Sequence, residues 1–141
     1  MAAILNGKKV LIVATNRAIR EVLSPIAKQI GATAVRVTSG PGSIADFEEF
    51  KPDLVFCHDE NDSIAGLGVV RLLRQKAKAP LSIVMVLGEG EGHLSGEAVK
   101  AGANGTLMVP FSMNDVSKLT ENILNKPGEG TKLRFGPRPT A

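Results

Sequence analysis

Tryptophan and tyrosine are absent from this 141-residue chain, and cysteine occurs once. Without those aromatics the usual stacking platforms for bases are missing, and no aromatic-laced basic stripe points to nucleic acid. The single cysteine, Cys57, excludes an intrachain disulfide and fits a reducing, cytoplasmic setting. No apolar run approaches the ~20 residues a spanning helix needs, so no membrane role is expected. The opening Met-Ala-Ala-Ile-Leu-Asn-Gly-Lys-Lys places its lysines after its apolar residues, the reverse of a signal peptide's order. Net charge is +3, weakly basic, with Lys126, Lys132, Arg134 and Arg138 near the end. What remains is an ordinary globular composition, long enough for one domain and too short for two comfortable ones.

Residues 51–67 organise the chain. Pro52-Asp53 is a turn pair, and Leu54-Val55-Phe56-Cys57 is a short apolar run of the kind that forms a strand buried on both faces. His58, Asp59, Glu60, Asn61 and Asp62 follow without an apolar side chain. In an open parallel sheet, ligands and chemistry sit beyond the carboxyl ends of the strands. A function is therefore expected at this cluster.

The other elements alternate. Lys9–Ala14 reads as a buried strand, and Ile19, Val22, Leu23, Ile26, Ala27 and Ile30 give the next segment helical spacing. Thr15 or Asn16 can cap that helix and Gly31 can end it, while Pro25 predicts a kink or an irregular first turn. Thr33–Thr38 alternates as a half-exposed strand would, and Ser43 with Asp46 predicts a capping box for a short helix through Phe47 and Phe50. A helix over 64–76 presents Leu67, Val70 and Leu73 on one side, and Ser82–Leu87 is again a buried strand. Gly88-Glu89-Gly90-Glu91-Gly92 reads as a plain loop. His93 stands where a dinucleotide fingerprint needs glycine, and the glutamates would repel phosphate. A short helix ending at Gly102, a strand over Thr106–Val109 and a helix starting at Ser112 complete the series. The expected organisation is a flexible lead-in over 1–7, an α/β domain over 8–125 with a parallel sheet covered on both faces, and a mobile basic tail over 126–141.

Lys9-Val10-Leu11-Ile12-Val13, Asn16-Arg17-Ala18-Ile19-Arg20, Lys51-Pro52-Asp53-Leu54-Val55, Gly66-Leu67, Ala101-Gly102-Ala103 and Pro110-Phe111 stand in the order and spacing of a known family. From Lys8 to Asn125 the chain resembles the receiver domain of two-component response regulators. The resemblance implies a flavodoxin-like fold of five strand–helix units, strand order 2-1-3-4-5. It also implies phosphoryl transfer to an aspartate ending the third strand, with magnesium held by acidic neighbours. Here the acceptor position is His58, the acidic pair falls on Ala14 and Thr15, the hydroxyl position on Leu87, the lysine on Val109 and the aromatic switch on Thr106. A hard dication needs several oxygen ligands, and at the acidic pair it would find a methyl and a neutral hydroxyl. The expectation is a pseudo-receiver that is not phosphorylated, needs no cofactor or metal, and acts as a constitutive interaction module in bacterial signal transduction. Its partner would be another signalling protein, with a homodimer compatible.

Other readings fit the same residues less well. Asp59 as a displaced acceptor would point to the other face of its strand. Cys57, His58 and His93 could gather a soft metal, but adjacent strand residues point apart and a buried cysteine is usually core. A small-ligand sensor, binding a nucleotide or other anion in the vacated pocket or on the tail, rests on Lys132, Arg134 and Arg138, with Arg134-Phe135 available for stacking. No nucleophile–base pair or phosphate loop supports an enzyme. The resemblance further implies that output is read from the surface of the fourth helix, fifth strand and fifth helix. That surface places Glu97, Lys100, Asn104, Thr106, Met108, Asn114 and Lys118 as exposed partner-binding candidates. It also implies a cis peptide bond at Val109-Pro110.

Overall fold

The computed structural model describes residues 5, 7–38, 42–58, 63–77, 81–125 and 133–135. Strands β1 (Lys9–Ala14), β2 (Ala34–Thr38), β3 (Leu54–His58), β4 (Ser82–Leu87) and β5 (Gly105–Met108) alternate with helices. The helices are α1 (Arg17–Gln29), α2 (Ser43–Phe50), α3 (Ser63–Lys76), α4 (Ser95–Ala101) and α5 (Met113–Asn125), and β6 (Leu133–Phe135) follows them. All strands pair in parallel in the order β2-β1-β3-β4-β5-β6. The first five keep the expected order 2-1-3-4-5, a flavodoxin-like arrangement.

Alternation along the strands makes two cores. Val10, Ile12, Ala14, Leu54, Phe56, Val84, Val86 and Leu107 face α1 and α5, where they meet Ile19, Leu23, Val116, Leu119 and Ile123. Leu11, Val13, Val55, Cys57, Ile83, Met85, Leu87 and Met108 face the other way, onto Phe47 of α2, Leu67, Val70 and Leu73 of α3 and Ala98 of α4. Each fully buried Leu, Ile or Phe contributes ~1.5–3 kcal/mol through area removed from water, which explains why the buried strands contain almost nothing polar.

Local chemistry sets the helix starts. Asn16 caps α1, its side chain accepting from the Ile19 N–H at 3.0 Å. Ser112 and Asp115 cap α5 reciprocally: Asp115 N–H donates to Ser112 Oγ at 3.1 Å and Ser112 N–H donates to Asp115 Oδ2 at 2.9 Å. Pro25 neither ends α1 nor disturbs its first turn, since the helix runs continuously past it. Pro25 and Glu21, whose carbonyl loses its donor, both lie on the exposed side, where water replaces the missing bond.

Three expectations are corrected. The capping box at Ser43 and Asp46 does not form. Gly42 is the cap residue of α2, and Asp46 instead accepts from Thr38 Oγ1 at 2.5 Å and lies 3.6 Å from Arg36. Two charged or hydroxyl donors on β2 outcompete one backbone N–H. The lead-in is not free at Leu5, which is 0% exposed in the α1/α5 core and donates its N–H to Ile30 at 2.8 Å. Within the stretch read as a tail, Leu133–Phe135 adds a parallel strand to β5, with Thr106 opposite Arg134.

Candidate functional site

The carboxyl ends of β1, β3, β4 and β5 meet at one edge of the sheet. β1 and β3 stay paired to their last residues, so Ala14 and His58 are register partners. His58 is only 7% exposed, and its Nδ1 lies 2.9 Å from the Val86 carbonyl of β4. A carbonyl only accepts, so Nδ1 carries the proton in this bond. The β3–β4 backbone ladder runs as far as Cys57 opposite Met85. One residue further, the His58 ring continues the link between the strands. An ionised carboxylate at that point has no proton to give Val86 and would set acceptor against acceptor.

The positions that the resemblance assigns to one pocket lie along this edge, their buried side chains divided between the two cores. Thr15 stands exposed beyond β1. Leu87 is buried with Val13, Cys57 and Met85 in the α2–α4 core, whereas Val109 packs against the α1/α5 core. Leu87 and Val109 meet through the backbone, Val109 N–H donating to the Leu87 carbonyl at 2.9 Å. Thr106 is 1% exposed, opposite Met85. Thus Ala14, His58, Leu87 and Val109 share the sheet edge, and none of them is an acid or a cation. Asp59, Glu60 and Asp62 lie outside the described residues.

Among the described residues no group of three or more His, Cys, Asp or Glu is placed to hold a metal ion. Cys57 points opposite to His58 and lies 3.8 Å from the Gly66 carbonyl, while His93 is exposed on a single 3₁₀ turn, Gly92–Leu94. The glycine-rich loop is closed by its own acid, Gly88 N–H donating to Glu91 Oε1 at 2.7 Å. Of the basic residues behind the sensor reading, Lys132 and Arg138 lie outside the described residues. No described helix is long and apolar enough to cross a membrane.

The expected interaction face needs correction at its centre. Thr106, Met108 and Asn104 are 1%, 5% and 2% exposed, so they offer nothing to a partner. β6 covers the side of β5 that would have been open, and Met108 belongs to the α2–α4 core. Asn104 is turned inward by bonds from Arg74 and Ile83. Glu97, Lys100, Asn114 and Lys118 are exposed as expected, with Glu97 and Lys100 3.9 Å apart. The Val109-Pro110 bond is cis, and Phe111 beyond it packs against the α1/α5 core.

Sequence reasoning missed Val86 and Arg74. Val86 acts through its carbonyl, for which no residue type is a signal. Arg74 sits among other helix cations and has no distinguishing neighbour in sequence. Burial lowers the Arg74 guanidinium from its ordinary value, and three acceptors, on Leu81, Gly102 and Asn104, surround it.

The sequence matches the family described as response regulator receiver domain over residues 10–121. It is similar to the probable transcriptional regulator ycf27 of Cyanophora paradoxa, 25% identical over 122 residues that cover 86% of this chain and 50% of the relative. It is also similar to the phosphate regulon transcriptional regulatory protein PhoB of Pseudomonas aeruginosa, 24% identical over 88% of this chain and 55% of the relative. The chain spans about half the length of these curated relatives. Among solved structures, the receiver domain of NtrX from Brucella abortus superposes with a TM-score of 0.72 at 21% identity, covering 83% of this chain and 98% of that one. A LuxR-family two-component response regulator from Aurantimonas sp. SI85-9A1 gives a TM-score of 0.74 at 19% identity, over 94% of this chain and 91% of that one.

Proposed function

The chain belongs to the response regulator receiver family, and from that footing we propose that it is a receiver without aspartyl phosphorylation, serving as a constitutive protein-interaction module. The observation that carries this reading is His58 at the end of β3, buried beside Ala14 and committed through Nδ1 to the Val86 carbonyl at 2.9 Å. Phosphoryl transfer needs a carboxylate acceptor, oxygen ligands for a hard dication and a cation to offset the transferred charge. Ala14, His58 and Val109 supply none of these. Leu87 and Thr106, buried where a hydroxyl and an aromatic ring would report the modification, leave no group to couple an edge event to the surface. A ligand shifts a conformational equilibrium only through differential affinity for its states, so the surface is read in one conformation.

The test is incubation with acetyl phosphate and magnesium followed by intact-mass measurement. The expected spectrum is unchanged. A stable, acid-labile addition of one phosphoryl group mapped to an aspartate overturns the reading.

A further inference from the structure

We propose that the groove between α1 and the outer edge of β2 is a docking site for an extended peptide segment carrying a carboxylate two residues from an apolar side chain. The groove is open, about 470 Å³, and lined by Arg17, Arg20, Glu21, Ser24, Pro25 and Val37. It lies at the β2 end of the sheet, opposite the β5–β6 end, and does not depend on whether the domain takes phosphate.

Three independent features converge there. First, β2 is the outermost strand on its side, so half of its backbone donors and acceptors have no strand partner among the described residues. Such an edge accepts an added strand through main-chain hydrogen bonds. Second, Val37 is 39% exposed on the α1 side of β2, with Pro25 across from it, an apolar floor beside the edge. An added strand continues the pleat, so its alternate side chains fall over that floor. Third, the charge in the groove is unbalanced. Glu21 is taken by Arg17 Nε at 2.8 Å, whereas Arg20 has a buried Nε without a hydrogen-bond partner. Arg20 is thus the groove cation with no ion pair among the described residues, and a carboxylate laid into the groove supplies one. The edge selects an extended backbone, Val37 and Pro25 select an apolar side chain, and Arg20 selects the acid.

The experiment titrates the full chain into N-terminally fluorescein-labelled Val-Thr-Glu-Thr-Val-Thr-amide, whose valines and glutamate share one face of a strand, with the lysine-for-glutamate peptide as charge-reversed probe. Fluorescence polarisation reads affinity and amide NMR shifts locate binding. Saturable binding of the acidic peptide alone, with shifts in 17–25 and 34–38, is expected. Arg20→Gln should weaken it about fivefold, the size of a partly exposed ion pair. Val37→Ser should weaken it comparably by removing the apolar floor without adding charge, so a folding failure of one variant, read from its melting curve, leaves the other. No saturable binding, equal binding of both peptides, indifference to both substitutions, or shifts centred on β5 and β6 would each overturn the proposal.

Discussion

Arg74 Nη2 donates to the side-chain oxygen of Asn104 at 2.7 Å, and that same oxygen accepts from the Ile83 N–H at 2.8 Å. One helical cation is thereby tied to the start of β4 and to the turn before β5. Its other nitrogens reach the Leu81 carbonyl at 2.8 Å and the Gly102 carbonyl at 3.0 Å. Arg74→Ala strands these acceptors and should cost about 2–3 kcal/mol, lowering the melting temperature by roughly 5–10 °C. Arg74→Lys should recover only part of this, since an ammonium cannot reproduce the planar fork. Thermal melts of the three proteins check both statements, and equal melting temperatures would contradict them.

Gly102 faces the same side chain. Its φ is +120°, and a Cβ there would lie 2.9 Å from both Cβ and Cγ of Arg74. Gly102→Ala should therefore destabilise by more than the ~1 kcal/mol of backbone strain alone. Chemical denaturation should show the effect reduced in an Arg74→Ala background, because the clashing Cγ is gone.

His58→Asp removes the donor to Val86 and places a buried carboxylate opposite its carbonyl. A loss of about 1–3 kcal/mol is expected in urea titration. His58→Asn retains an N–H donor and should lose less. Neither variant should accept phosphate from acetyl phosphate, since Ala14 and Val109 are unchanged. Full phosphorylation of His58→Asp would mean that the acceptor alone had been missing.

Removal of the α5 cap offers a check on local energetics. Ser112→Ala deletes one half of the reciprocal pair with Asp115 and should cost about 1 kcal/mol, measured by urea denaturation at neutral pH.

For the interaction face, simultaneous charge reversal at Lys100 and Lys118 should weaken capture of partners from source cells while leaving the melting curve unchanged. Arg71, exposed on α3, is the appropriate control. Arg74 is not, because its reversal would damage the fold. Loss of capture by Arg71→Glu with retention by the double variant would move the face to α3.

The buried strands were legible because they carry little but apolar side chains. Lys9–Ala14 and Ser82–Leu87 coincide with the expected bounds. The helices were legible through their spacing and caps, and α1 runs on past Pro25 because exposure there makes its missing bond cheap. What escaped was decided by residues distant in sequence. Asp46 could serve a helix start or the β2 donors, and only the α2–β2 packing decides between them. Thr106 looks like a surface residue until a three-residue strand, too short to signal itself among glycines and prolines, pairs with β5, and Met108 until it joins the α2–α4 core. The residues at the sheet edge, Ala14, His58, Leu87 and Val109, were readable one by one, but the Val86 carbonyl that holds His58 was not.

The His58–Val86 bond also bears on what sequence change can undo. The acceptor in that bond belongs to the main chain of β4, so no substitution at position 86 other than proline, which alters the backbone, removes its demand for a proton. A carboxylate at 58 would therefore meet that acceptor whatever side chain stands at 86, and β3 and β4 would lose this link unless another donor were supplied.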